Sequence, residues 1–173
     1  KPIKDKKELG LEFPLPLDYY KYYGSKPEKI LSSIIGHEGK GSLLSHLKEE
    51  GLATGLGANG APDTPDYGSL GIRIALTEKG VEQYRNVLQY CFSYLDMLKK
   101  EGYQTYYYNE QKTMGKLEEV YSDKGEGAWT AISFANNLAF YPMDIAHRVD
   151  YYFGDPDPEA YHKILSYLRP DNM

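Results

Sequence analysis

The sequence predicts an α+β domain in which helices pack on one face of a small, mostly antiparallel sheet. Three observations carry that expectation. Period-two apolar alternation is confined to the first half, at Leu9, Leu11, Phe13 and Leu15, and again at Leu70, Ile72, Ile74 and Leu76. From Thr77 onward apolar residues instead recur three or four apart, the helical period. A hydrophobic content of 41% over 173 residues gives enough apolar surface for one core without disulfides or metal staples. Residues 1–173 therefore read as a single domain.

Taken in order, "ELGLEFPLPL" is strand-like until Pro14 and Pro16 end the ladder or place it at an edge. "SKPEKILSSIIG" predicts a short helix with Ser25 as cap, Pro27 in the first turn, and Ile30, Leu31, Ile34 and Ile35 on one face. Gly36 ends it. "SLLSHLKEEG" predicts a second helix with Leu43, Leu44 and Leu47 inward, closed by Gly51. "LATGLGA" is extended only weakly, since glycine lowers strand preference. The strand "GSLGIRIAL" follows. One long helix is then expected from Thr77, with Val81, Tyr84, Leu88, Cys91, Leu95 and Leu98 inward and Gly102 as its stop. Further helices are expected over Thr105–Tyr121, over "GAWTAISFANNLAFYP" up to Pro142, and as a turn or two in "MDIAHRVDYY". A last one covers "DPDPEAYHKILSYLRP", with Asp157 as cap and Pro158 in the first turn. One more strand is expected after "RPDNM".

Composition excludes several function classes. The net charge is -5, and no Lys/Arg block exceeds two residues, which argues against nucleic acid as a partner. No apolar run approaches a membrane span and no signal peptide opens the chain, so no membrane partner is expected. The one cysteine, Cys91, lies in an apolar helical stripe and reads as a buried thiol. Tyrosine is abundant, at 18 residues, with runs "DYYKYY", "YQTYYY" and "DYYFG". Rings at a core boundary explain them, and Trp129 reads as a core or domain-interface anchor. A tyrosine-lined carbohydrate site would instead require exposed, coplanar rings.

No catalytic constellation assembles from the motifs. A helical zinc site needs two histidines one turn apart, but His37 and His46 are nine residues apart, and His147 and His162 lie in unrelated segments. G-x-S-x-G is absent, and "GHEGKGS" breaks the phosphate-loop order because Gly41 separates Lys40 from Ser42. Gly55, Gly57 and Gly60 match G-x-G-x-x-G in letters only, because "APDTPDYG" follows and its prolines start no helix. Glu49/Glu50 and Glu118/Glu119 are adjacent pairs that share no helix face.

A family resemblance gives the glycine-rich stretch another meaning. "GHEGKGSLLSHLKEEGLATGLGA", preceded by "PIKDKKELGLEFPLP" and followed by "ALTEKGVEQYRNVLQYCFSYLDMLKKEG", resembles the second domain of the insulysin/pitrilysin zinc peptidases, the M16 or inverzincin family. The closing "ILSYLRPDNM" resembles the L-x-P-x-N end of that domain. The resemblance implies four related α/β domains around a closed chamber, with zinc on an H-x-x-E-H helix of the first domain. The equivalent helix here, "EKILSSIIG", carries no histidine. It follows that this chain holds no catalytic residue, metal ligand or cofactor of its own, and that zinc belongs to a domain of the parent enzyme outside it.

What the resemblance assigns to the chain is an exosite. A sheet edge at Leu56, Gly57, Ala58 and Asn59, beside Gly36 and Glu38, takes the N-terminal part of a peptide substrate as an added strand. Small side chains there admit a second backbone, and Glu38 is the partner for the peptide's terminal amine. Ser33 stands where some members have histidine, and Asn59 replaces a glycine. The alternative to strand addition is that the glycines of "GHEGKG" merely serve positive φ in a turn between helices. The implied partners are peptide and the other domains of the same polypeptide, with self-association of the isolated chain. An alternative function is an M16-derived structural or interaction module without peptidase activity. The pitrilysin-like pattern points to an exported bacterial parent.

Overall fold

The computed structural model describes residues 6–16, 18–64, 67–121, 125 and 127–173. Lys1–Asp5 of the stretch carrying the resemblance, and Pro65–Asp66 after the glycine-rich segment, lie outside the described residues. The three expected strands are β1 (Glu8–Pro14), β2 (Ala53–Thr64) and β3 (Tyr67–Leu76). They form an antiparallel sheet in the order β1-β3-β2. β3 is paired on both sides, so β1 and β2 are the two edges among the described strands. Register places Leu9, Ile74 and Leu56 in one cross-strand row, and Leu11, Ile72 and Ala58 in the next. These residues face inward, while Glu8, Arg73 and Gly57 alternate to the opposite face.

The helices are α1 (Pro27–Ile35), α2 (Leu43–Glu49), α3 (Glu78–Glu82), α4 (Tyr84–Glu101), α5 (Thr105–Tyr121), α6 (Gly127–Leu138), α7 (Met143–Ala146) and α8 (Pro158–Tyr167). The apolar faces of α1, α2, α4 and α8 close over the inner face of the sheet in one core, which includes Leu31, Leu44, Cys91 and Ile164. Burial pushes the Cys91 thiol up to about 12, as expected of a packing residue. Among the tyrosines, Tyr19, Tyr108 and Tyr161 are buried. Tyr23 meets Tyr141 at 69° and Tyr103 meets Tyr161 at 76°, so these rings pack edge-on and present no stacked platform. Trp129 is not part of this chain's core: it is 68% exposed, on a helix with no buried residue.

Two expected features change. The long helix from Thr77 is broken at Gln83 into α3 and α4. Val81 and Tyr84 are 42% and 43% exposed, and Val87 takes the inward place. The cause is a long-range contact. A Cβ on Gly80 would lie 1.9 Å from the Leu52 carbonyl oxygen, so α3 is seated on the end of α2 at its own angle. At the start of α1, Lys26 rather than Ser25 is the capping position, with φ 44° and no side-chain cap bond. Pro27 disfavours the helical region for the residue before it, and the Lys26 ammonium donates instead to the carbonyls of Val149 and Asp150.

Candidate functional site

β2 leaves one side open. In an antiparallel ladder alternate residues direct N–H and C=O groups at their neighbour, and the intervening ones direct them away. Along Gly55–Gly60 every second residue therefore offers its backbone to the outer side, where no strand is paired among the described residues. Leu56 (8% exposed) and Ala58 turn their side chains inward, and Gly57 and Asn59 turn outward. Asn59 Oδ1 lies over Gly71 on the outer face, 3.5 Å from where a Cβ on that glycine would sit. What the edge presents is thus mostly main chain.

α1 runs beside this strand. Its first turn meets Gly60, where a Cβ would lie 3.1 Å from Glu28 Cβ, and its C-terminal end meets Ala58. The C-cap Gly36 donates its N–H to the Ser32 carbonyl at 2.8 Å with φ -79°, so it does not serve a left-handed turn. It serves close approach: a Cβ on Gly36 would lie 3.0 Å from Ser32 O and 3.5 Å from Ala58 N. In "GHEGKG" only Gly41 has positive φ, 86°. Glu38 is exposed two residues beyond Gly36, in a turn where Gly39 N–H donates to His37 Nδ1 at 3.0 Å. Ser33 lies on the opposite flank of α1, and its Oγ accepts from Gln111 Nε2 at 2.9 Å. The geometry therefore brings Gly36 and Ala58 together beside the open edge. It leaves Glu38 free in solvent and turns Ser33 toward α5.

A second feature adjoins the Gly60 end of the edge and has no local signature in the sequence. A cavity of about 300 Å³ is lined by Tyr20, Tyr23, Glu28, Gly60, Tyr141 and Asp150, among others. Burial pushes the Glu28 carboxyl up to about 7, against its own backbone N–H and the nearby Lys26 and Lys29, which favour the charged form. Lys26, also lining it, is held down to about 8, first by burial and then by Lys29. Tyr141 is raised first by burial and then by the Glu28 and Asp150 carboxylates.

The histidines do not assemble a zinc site. His37 accepts from Gly39 within its turn, His46 packs edge-on against Tyr90 at 4.6 Å, and His147 lies against Phe134. Among the described residues no three histidine, cysteine, aspartate or glutamate side chains converge to hold a metal. The residues present do not fit the zinc centre of a peptidase.

Comparison with known proteins follows the same line. A family model described as the peptidase M16 inactive domain matches residues 1–114. The A-factor-processing enzyme of Saccharomyces cerevisiae is 37% identical over 138 residues, 80% of this chain and 13% of the relative. The insulin-degrading enzyme of Homo sapiens is 32% identical over 172 residues, 99% of this chain and 17% of the relative. The crystal structure of pitrilysin superposes with a TM-score of 0.91 at 25% identity, covering 99% of this chain and 18% of that one. The inactive peptidase domain of a zinc protease from Bordetella parapertussis shares the fold, with a TM-score of 0.70 at 15% identity over 98% of this chain and 88% of that one. The chain spans less than a fifth of the length of the two curated relatives.

Proposed function

The chain belongs to the M16 peptidase family, in the domain of that family described as inactive, and from that premise we propose that it is the non-catalytic substrate-docking domain of a zinc metalloendopeptidase. It anchors the N-terminal part of a peptide as a strand added to β2, away from the metal. The observation that supports this reading most is the open edge of β2 beside Gly36. Leu56, Gly57, Ala58 and Asn59 supply main-chain donors and acceptors, and their small or inward side chains let a second backbone within about 4.8 Å. Glu38, exposed at the adjoining turn, is the partner for a terminal amine. Hydrolysis, zinc and the physiological peptide belong to the whole enzyme. In this reading the chain is inert toward peptides on its own and works with other domains of the same polypeptide.

Strand addition has a signature that side-chain docking lacks: only alternate peptide amides face β2. A fluorescent extended peptide is titrated against this chain in two versions, each N-methylated at one alternate set of amides. One version should bind as the parent does, and the other should lose at least roughly tenfold in affinity. Equal binding of both versions would exclude strand addition and favour the structural module. Affinity for the parent peptide should be modest, because a short added strand must offset the ordering of a flexible ligand.

A further inference from the structure

The cavity at the Gly60 end of β2 is not used by strand addition, and its chemistry is specific. Its carboxylates, Glu28 and Asp150, make no ion pair among the described residues. Two lysines, Lys26 and Lys29, line the same cavity. Lys26 Nζ donates to the Val149 and Asp150 carbonyls and lies 5.2 Å from the Phe153 ring centroid, and Lys29 Nζ lies 5.5 Å from the same ring. The Tyr23 and Tyr141 rings, 5.5 Å apart at 69°, line the same space. Glu28 and Asp150 thus share the cavity with Lys26 and Lys29, but neither carboxylate is ion-paired to them among the described residues, so the acids keep acceptor capacity for an incoming cation.

We propose that this cavity is a side-chain subsite for a basic residue of the docked peptide. Glu28 accepts its charged hydrogen bond, and Tyr23 and Tyr141 receive the cation on their rings. Position supports the assignment. Gly60 is two residues beyond Ala58, about 7 Å along the strand, so a peptide lying on Leu56–Asn59 passes the mouth within its next residues. Gly60 also lacks the side chain that would collide with Glu28 there. The volume of about 300 Å³ accommodates an arginine or lysine side chain. The inference rests on the strand-addition reading and adds the residue preference to it.

The test uses two peptides of identical backbone, one carrying arginine and the other its neutral isostere citrulline, scanned through successive positions and titrated against this chain. At one position the arginine peptide should bind roughly tenfold tighter. Glu28→Gln should abolish that preference while both peptides still bind, a readout that a misfolded variant would not give. Circular dichroism of Glu28→Gln checks its fold independently. Equal affinity for both peptides at every position overturns the subsite and leaves strand addition standing. A preference that survives Glu28→Gln overturns it as well. Failure of every peptide to bind overturns both readings.

Discussion

Glu28 carries the clearest consequence at the scale of one residue. It lies at the start of α1, where the helix N-terminus and two lysines favour a carboxylate, yet burial dominates and lifts its titration to about 7. A carboxyl raised in the folded state binds its proton more tightly there than in the unfolded chain, so its stabilising contribution is complete below about 4.5 and is lost as pH rises through 7. Glu28→Gln removes that loss. Urea midpoints should place the variant above the parent at pH 8 by up to roughly 3 kcal/mol, with the gap closing near pH 4.5. Parallel pH profiles for the two proteins would show that Glu28 ionises freely. Lys26 is the converse case: a buried ammonium held down to about 8 at a backbone φ of 44°. The residue before a proline is expected to be extended, and only the distant Val149 and Asp150 carbonyls account for this exception. No local pattern around Ser25 could have announced them.

Between elements, the decisive contact is Gly80 on Leu52. Thr77 caps α3 by accepting from Gly80 N–H at 2.9 Å, while its own hydroxyl donates to Gly51 O at 2.7 Å. These bonds lock α3 to the end of α2, and the glycine is what lets the two backbones meet. In Gly80→Ala the added methyl gains helix propensity, at most about 1 kcal/mol, but has nowhere to go against backbone. A net cost of about 1–3 kcal/mol follows, read as a Tm lower by roughly 5 °C in a thermal scan; an unchanged Tm would mean the contact is slack. The same contact explains what the sequence could and could not convey. The change of period at Thr77 was legible because it is local, as was the Asp157 cap, which accepts from Ala160 N–H as its type predicts. The break at Gln83 was not, because it depends on a residue of another element. Likewise the glycines at 55, 57 and 60 were visible in the sequence, but that β2 is an edge depends on β3 pairing both ways. The adjoining cavity draws on residues 19–29, 60, 137–141 and 149–150, and no spacing in the chain relates them.

For the whole molecule, the helices differ in how far they enter the core. α1, α2, α4 and α8 are absorbed into the core, but α5 and α6 turn apolar side chains to solvent: Leu117, Val120 and Tyr121 on one, Trp129 and Ile132 on the other, with Phe140 and Met143 beyond. Apolar surface on this scale marks an interface, and the edges of β1 and β2 add unpaired backbone. A net charge of -5 opposes association but is small for a chain of this length. Self-association of the chain should therefore rise with concentration, as a weight-average mass that climbs in sedimentation equilibrium from micromolar to near-millimolar protein. Trp129 is the single tryptophan and is among the exposed apolar residues of α6, so its emission reports whether that surface is used. Mass gain with a blue shift assigns the contact to α5 and α6, and Val120→Lys together with Ile132→Lys should then restore the monomer. Mass gain without a shift assigns it to the sheet edges, and the peptide that adds to β2 should then compete it away. A monomer at every concentration would show that neither surface is adhesive enough to seek a partner in the absence of other domains.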